Sequence, residues 1–341
     1  MRSFACPSCA QLVFFDNSIC LRCETQIGLD PASLALVEPS DELVRCANQL
    51  VAACNWLVPT GVDGAATDDG LCVSCQLTRT RPDDDDPDAL EAFATAERQK
   101  RRLVYQLLDL GLPVAPYDDE AASGIAFDLL SSRFDQVMTG HADGVITLDL
   151  AESDDAHREQ VRQQMGEAYR TVLGHLRHEI GHYYWDVLVT DDRVDEVRSL
   201  FGDDRLDYGE ALERHYGSGP PVDWADHHVS QYATMHPWED WAETFAHYLH
   251  LRDALQTAAA FGIEVHGPAA EVGDVEGELE VVPVEPDDAQ PIDDLVADWL
   301  ALSYALNAMS RSLGNDDLYP FVLAPEVVAK LGLVHDLVTT R

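Results

Sequence analysis

The sequence predicts an α+β fold, a mostly helical main domain behind a small β-rich domain at the N-terminus. Three observations predict it. All eight cysteines fall within the first 75 of the 341 residues. A charged, proline-flanked stretch from Arg81 to Asp88 then reads as a linker. Beyond it, apolar residues recur at helical spacing in several segments. The expected organisation is a cysteine-rich region over residues 1–80, an acidic linker over 81–88 and a larger domain over 89–341, with an acidic loop at about 262–294.

The cysteine-rich region comes first. Cys6-Pro7-Ser8-Cys9 and Cys20-Leu21-Arg22-Cys23 form two CxxC knuckles ten residues apart. Each knuckle turns two thiolates toward one point, and two knuckles complete a tetrahedral zinc site of the zinc-ribbon kind. Phe14 and Phe15 between them suit a small hairpin. So short a segment has no adequate hydrophobic core, so metal supplies much of its stability. Cys46, Cys54, Cys72 and Cys75 offer a second four-cysteine site, although only Cys72 and Cys75 have knuckle spacing. A reducing compartment argues against disulfides, and no βαβ pattern accompanies these cysteines as a redox dithiol would require.

Composition narrows the partners. The net charge is −40, and the only lysines are Lys100 and Lys330. Such a field repels nucleic-acid phosphates and anionic lipid, so neither nucleic acid nor membrane is an expected partner. The cysteine-rich region carries few bases and no basic-aromatic stripe, which favours protein docking or scaffolding. No run of eighteen apolar residues exists, and the N-terminus lacks an apolar signal-peptide core, so the expected location is the cytoplasm.

The remaining elements follow in order. A helix is expected from Ala89 to Leu110, stopped by Gly111. Gly144–Leu150 reads as a strand, either internal or free to pair with an extended substrate. Ala156–Glu167 is helical, with ion pairs among Arg158, Glu159, Arg162 and Glu167. The most informative stretch is next, His178-Glu179-Ile180-Gly181-His182, an HExxH pattern in an apolar helical segment. Positions i and i+4 lie on one helix face, so both imidazoles can reach one metal, and Glu179 projects beside it where it can hold a water. After the acidic loop, Leu295–Met309 is an apolar helix, and a small helix ends the chain.

A hydrolytic zinc needs a third protein ligand and one open position. The segment His236–His250 offers Glu239, Glu243 and His247 on one face of a helix that Pro237 starts. Glu243 is favoured because small Ala242 and Ala246 allow another helix close by, with Glu239 and His247 as alternatives. Asp240 or Glu239 could instead hold an imidazole N–H. Tyr232 and His236, just ahead of this helix, are candidates for stabilising an oxyanion.

These motifs together resemble a bacterial family of zinc-binding metallopeptidases with a zinc-ribbon start, and the Trp-Ala-Glu-Thr-Phe-Ala run at 241–246 is similar to the gluzincin pattern. The resemblance implies a zincin-like fold, His178 and His182 as ligands, Glu179 as acid/base and Glu243 as third ligand. The expected function is zinc-dependent hydrolysis of peptide bonds in a peptide or protein substrate, with one catalytic and one or two structural zinc ions. The alternative is a non-catalytic zinc-binding module that docks a protein partner.

Overall fold

Short hairpins build the N-terminal region, around its buried thiols and a small apolar core. The computed structural model describes residues 2–61, 69–133, 136–165, 167–266, 280–281 and 285–340. The chain divides into two compact units, residues 3–179 and residues 180–341 with the first two. Within the predicted acidic loop, residues 267–279 and 282–284 lie outside the described residues.

In the first unit, β1 (Phe4–Ala5) pairs antiparallel with β2 (Leu12–Val13), β3 (Gly28–Asp30) with β4 (Ala35–Val37), and β5 (Leu43–Arg45) with β6 (Leu57–Pro59). The two knuckles repeat one backbone design. The Ala10 and Glu24 amides donate back to the Cys6 and Cys20 carbonyls at 2.9 and 2.8 Å. Both residues accept a left-handed φ, 57° and 60°, to close the turn. β7 (Thr78–Thr80) leads into the acidic stretch, where the Asp86 carboxylate caps α1 (Pro87–Asp109) by accepting from the Ala89 amide. Gly111, at φ 65°, follows the end of that helix.

The hairpins and α1 share a core. Phe4, Phe15 and Trp56 cluster with Tyr105 of α1, and the Phe15 and Tyr105 rings meet edge-on at 5.3 Å. The buried Arg101 guanidinium donates to the Ala52 and Ala53 carbonyls. Lys100 is fully buried 2.6 Å from Glu97, and both bond Thr78.

A four-stranded sheet completes this unit in the order β7, β8 (Ala126–Leu130), β10 (Val145–Asp149), β9 (Gly140–Ala142). β10 is parallel to β8 and antiparallel to β9. The predicted strand is therefore internal, and β9 occupies the edge a substrate would have needed along residues 145–147. A 3₁₀ turn (Leu150–Ser153) leads to α2 (Asp155–Met165), which carries the predicted Arg162–Glu159 pair at 2.7 Å. Next is α3 (Val172–Leu188), whose residues from Ile180 on belong to the second unit and whose Leu176, Ile180 and Tyr184 recur every four residues and are fully buried.

The second unit is helical: α4 (Val194–Phe201), α5 (Tyr208–Ser218), α6 (Trp224–His227), α7 (Pro237–Ala260), α8 (Ile292–Ser312) and α9 (Pro325–Thr339). A two-residue pair, β11 (Val265–His266) and β12 (Glu280–Val281), is its only sheet among the described residues. α7 is the centre. Its Trp241 and Phe245 pack on Trp185, Phe201 and Tyr184, and its Tyr248 hydroxyl meets His335 of α9 at 3.0 Å. Gly181 sets the spacing between α3 and α7. A Cβ there would lie 3.0 Å from the Ala242 Cα, and the Trp241 indole N–H donates to the Gly181 carbonyl at 2.8 Å. No described helix is long and apolar enough to cross a membrane.

Candidate metal centres

The cysteines gather as two groups of four, Cys6/Cys9/Cys20/Cys23 and Cys46/Cys54/Cys72/Cys75, and all eight are free thiols. Sulfur atoms 2.3 Å from a tetrahedral zinc would stand about 3.8 Å apart, whereas a disulfide needs about 2.05 Å. The separations are 3.6 Å for Cys6–Cys23, 3.7 Å for Cys9–Cys20 and 3.6 Å for Cys54–Cys72. These separations match the edge of a zinc tetrahedron, and the four sulfurs of each group lie within 4.8 Å of one another. Hydrogen bonding with the Thr25 hydroxyl and amide lowers the pKa of the Cys23 thiol to about 6. In the second group, all of it buried, Cys46 is driven far down by bonds from Cys54, Cys72 and Cys75. Burial pushes Cys72 up. Four adjacent buried thiols cannot all ionise without a cation among them.

The third group is His178, His182 and Glu239, whose ligand atoms lie within 4.8 Å of one another. The two histidines are one turn apart on α3, and all three residues are buried. His182 Nε2 lies 3.4 Å from Glu239 Oε2. That equals, to within about 0.1 Å, the edge of a tetrahedron with ligand bonds of about 2.1 Å. The Trp238 ring, 4.3 Å from the His182 ring, fixes its plane. Glu179, only 5% exposed, follows His178.

The group contains Glu239, one of the alternatives, and among the described residues it does not include the favoured Glu243. The two share a helix face but stand about 6 Å apart along its axis. The contact of Gly181 with Ala242 fixes which turn of α7 lies opposite His182. The close approach expected at Ala242 is real, and it places the earlier glutamate at the metal group. The alternative His247 instead meets the Tyr319 hydroxyl at 2.7 Å. Asp240 is committed elsewhere, 2.6 Å from Lys330 of α9. Burial pushes its carboxyl up to about 7, against the pull of that ammonium.

His236 has a structural task that leaves no donor for an oxyanion. Its Nδ1 accepts from the Trp238 amide at 3.1 Å, capping α7, and its Nε2 donates to the Leu206 carbonyl at 3.1 Å. Tyr232 lies in the 3₁₀ turn before α7 (Tyr232–Thr234), edge-on to His215.

Two participants escaped the sequence. The Tyr208 hydroxyl donates to Glu239 Oε1 at 2.9 Å, leaving Oε2 toward His182. Glu152, buried in the 3₁₀ turn before α2, meets His175 Nδ1 at 3.0 Å. Neither contact has a local signature, since the partners lie 31 and 23 residues apart.

Helices presenting an imidazole pair and a buried carboxylate to one point, in a chain that also gathers two four-thiol groups, define a zinc-binding α+β protein. The chain belongs to the family described as "putative zinc-binding metallo-peptidase", whose profile matches residues 89–337, and a zinc-ribbon domain matches residues 3–86. Relatives include uncharacterized proteins of Mycobacterium bovis and of two Mycobacterium tuberculosis strains, CDC 1551 and H37Rv. Each is 48% identical over 342 residues, covering 99% of this chain and 95% of the relative. No solved structure matches the chain.

Proposed function

We propose that this protein is a zinc-dependent peptidase in which His178, His182 and Glu239 hold the catalytic metal and Glu179 is the general base. The observation that carries the reading is the 3.4 Å approach of Glu239 Oε2 to His182 Nε2, in one group with His178. Three protein ligands, with no fourth in that group among the described residues, suit a centre that keeps one position for water. Zinc bound there would supply a Lewis acid for the scissile carbonyl and a water acidified to a pKa of about 7.

The chain's own residues do the rest. Glu179 accepts the proton of the attacking water and passes it to the leaving amine. Tyr208 holds Glu239 so that one carboxylate oxygen faces the imidazoles. Trp238 covers one face of His182 and keeps water from it. The two cysteine groups would hold one structural zinc each, giving about three ions per chain.

Digestion of a peptide pool by the zinc-loaded full chain, read by mass spectrometry with and without chelator, tests the reading. Glu179→Gln should keep its zinc and lose at least about 100-fold in turnover. Cleavage by that variant at the parent's rate would remove Glu179 from its role.

A further inference from the structure

One turn before the metal ligands, α3 carries a histidine that the proposed mechanism leaves unused. His175 Nδ1 lies 3.0 Å from Glu152 Oε2, and its Nε2 lies 3.8 Å from Glu179 Oε1. An ionised carboxylate only accepts, so Nδ1 carries the proton in the Glu152 contact.

Glu152 is a rigid anchor. It is 5% exposed, and its Oε1 accepts from Arg170 Nη2 at 3.0 Å and from the Thr139 hydroxyl at 3.1 Å. Burial alone would push its carboxyl up. The hydrogen bond and charge of His175 and the charge of Arg170 overcome that and hold it near 2, so it stays ionised at neutral pH. Arg170 is itself fixed by Glu167 at 2.9 Å. A chain of contacts therefore runs from Arg170 through Glu152 and His175 to Glu179.

We propose that His175, aimed by Glu152, is a positioning residue for the general base Glu179. The inference rests on the peptidase reading above. A glutamate side chain has three torsions, and a base must keep one oxygen toward the water it deprotonates. An imidazole beside Oε1 restricts the carboxylate and leaves Oε2 for the proton. At 3.8 Å the contact is beyond hydrogen-bond range, so it restricts the carboxylate by packing. The design parallels the hydrolytic triad, where a buried carboxylate sets the tautomer and direction of an imidazole. The bland alternative is a tie between α3 and the preceding 3₁₀ turn, which would affect stability alone.

The experiment uses the zinc-loaded full chain and the best-cleaved peptide of the pool. His175→Leu should lower kcat about 10- to 100-fold with KM and zinc content unchanged. His175→Gln, whose amide can still face Glu179, should recover part of that loss, and Glu152→Gln should lower kcat severalfold. Parent-like kcat in His175→Leu, or a loss that follows lost zinc or a raised KM, would overturn the proposal. If the parent cleaves nothing, the peptidase reading fails by itself, and the contact is read by long-range 1H–15N NMR of the His175 ring. Nδ1 should be protonated, and Glu179→Gln should move the Nε2 resonance. An unmoved resonance overturns the contact independently of activity.

Discussion

Removing the Tyr208 hydroxyl is the sharpest test of the metal centre, because it alters no ligand. Tyr208→Phe deletes one hydrogen bond, 2.9 Å long, to the Glu239 carboxylate. A hydrogen bond to a charged group contributes about 1.5–3 kcal/mol. Partners that orient a metal ligand typically change metal affinity by about 10- to 100-fold, or about 1.4–2.7 kcal/mol. Tyr208 is 39% exposed, so water can replace part of its bond to Oε1. The expected loss is therefore at the lower end, about tenfold in zinc affinity at the histidine site. Competition with a chromophoric chelator measures it, provided the cysteine sites, which should release their metal separately, are followed in the same titration. The ring remains, so the melting temperature of the metal-free protein should stay within about 2 °C. An unchanged affinity would show that Glu239 needs no help from Tyr208 or is not a ligand, and a Glu239→Gln variant that retains full affinity would decide for the latter.

Two further outcomes follow from the packing. Gly181→Ala would place a methyl 3.0 Å from the Ala242 Cα and 3.2 Å from its carbonyl oxygen, both backbone atoms. Overpacking of this kind costs about 1–3 kcal/mol, against a helix-propensity gain of about 1, and a thermal melt should fall by a few degrees together with zinc affinity as Glu239 retreats. Lys330→Met would strand the buried Asp240 carboxylate, which should cost about 3–5 kcal/mol in denaturant unfolding, and adding Asp240→Asn should recover most of the loss. A single variant as stable as the parent would mean that the pair carries no net energy.

The parts of the centre that could be read in the sequence are those whose geometry is local. The spacing of His178 and His182 is a helical turn, and the spacings within Cys6–Cys9 and Cys20–Cys23 are knuckles, so short-range structure alone aligns the donors. The proposed third ligand is different. Glu239 and Glu243 are equivalent by periodicity, and only the axial register of α7 on Gly181 separates them. Tyr208 reaches Glu239, and Glu152 reaches His175, through chain reversals that no nearby residue announces. The strand at 145–149 was legible from its apolar run, whereas its place between β8 and β9 was not, because pairing is a property of two segments.

The same limit explains the relation between the hairpins and α1. Family boundaries fall at residues 86 and 89, yet packing continues past them to residue 179. Lys100 and Arg101 look like surface charges in the sequence, but both are buried. The physical reason lies in the second cysteine group. Four thiolates around a zinc dication would carry a formal charge of about −2, which is costly in a buried place without compensation. The Cys46 bond raises the Cys75 thiol, the Cys54 and Cys72 bonds outweigh it and hold the thiol below its ordinary value, and the Lys100 charge adds a smaller pull in the same direction. Arg101 takes up the carbonyls of Ala52 and Ala53, directly before Cys54. With Glu97 also buried and paired to both, the three α1 charges sum to a single positive charge. The thiolate group and α1 therefore stabilise each other, and a chain cut at residue 86 would leave Glu97, Lys100, Arg101 and Tyr105 without the partners that make their burial tolerable.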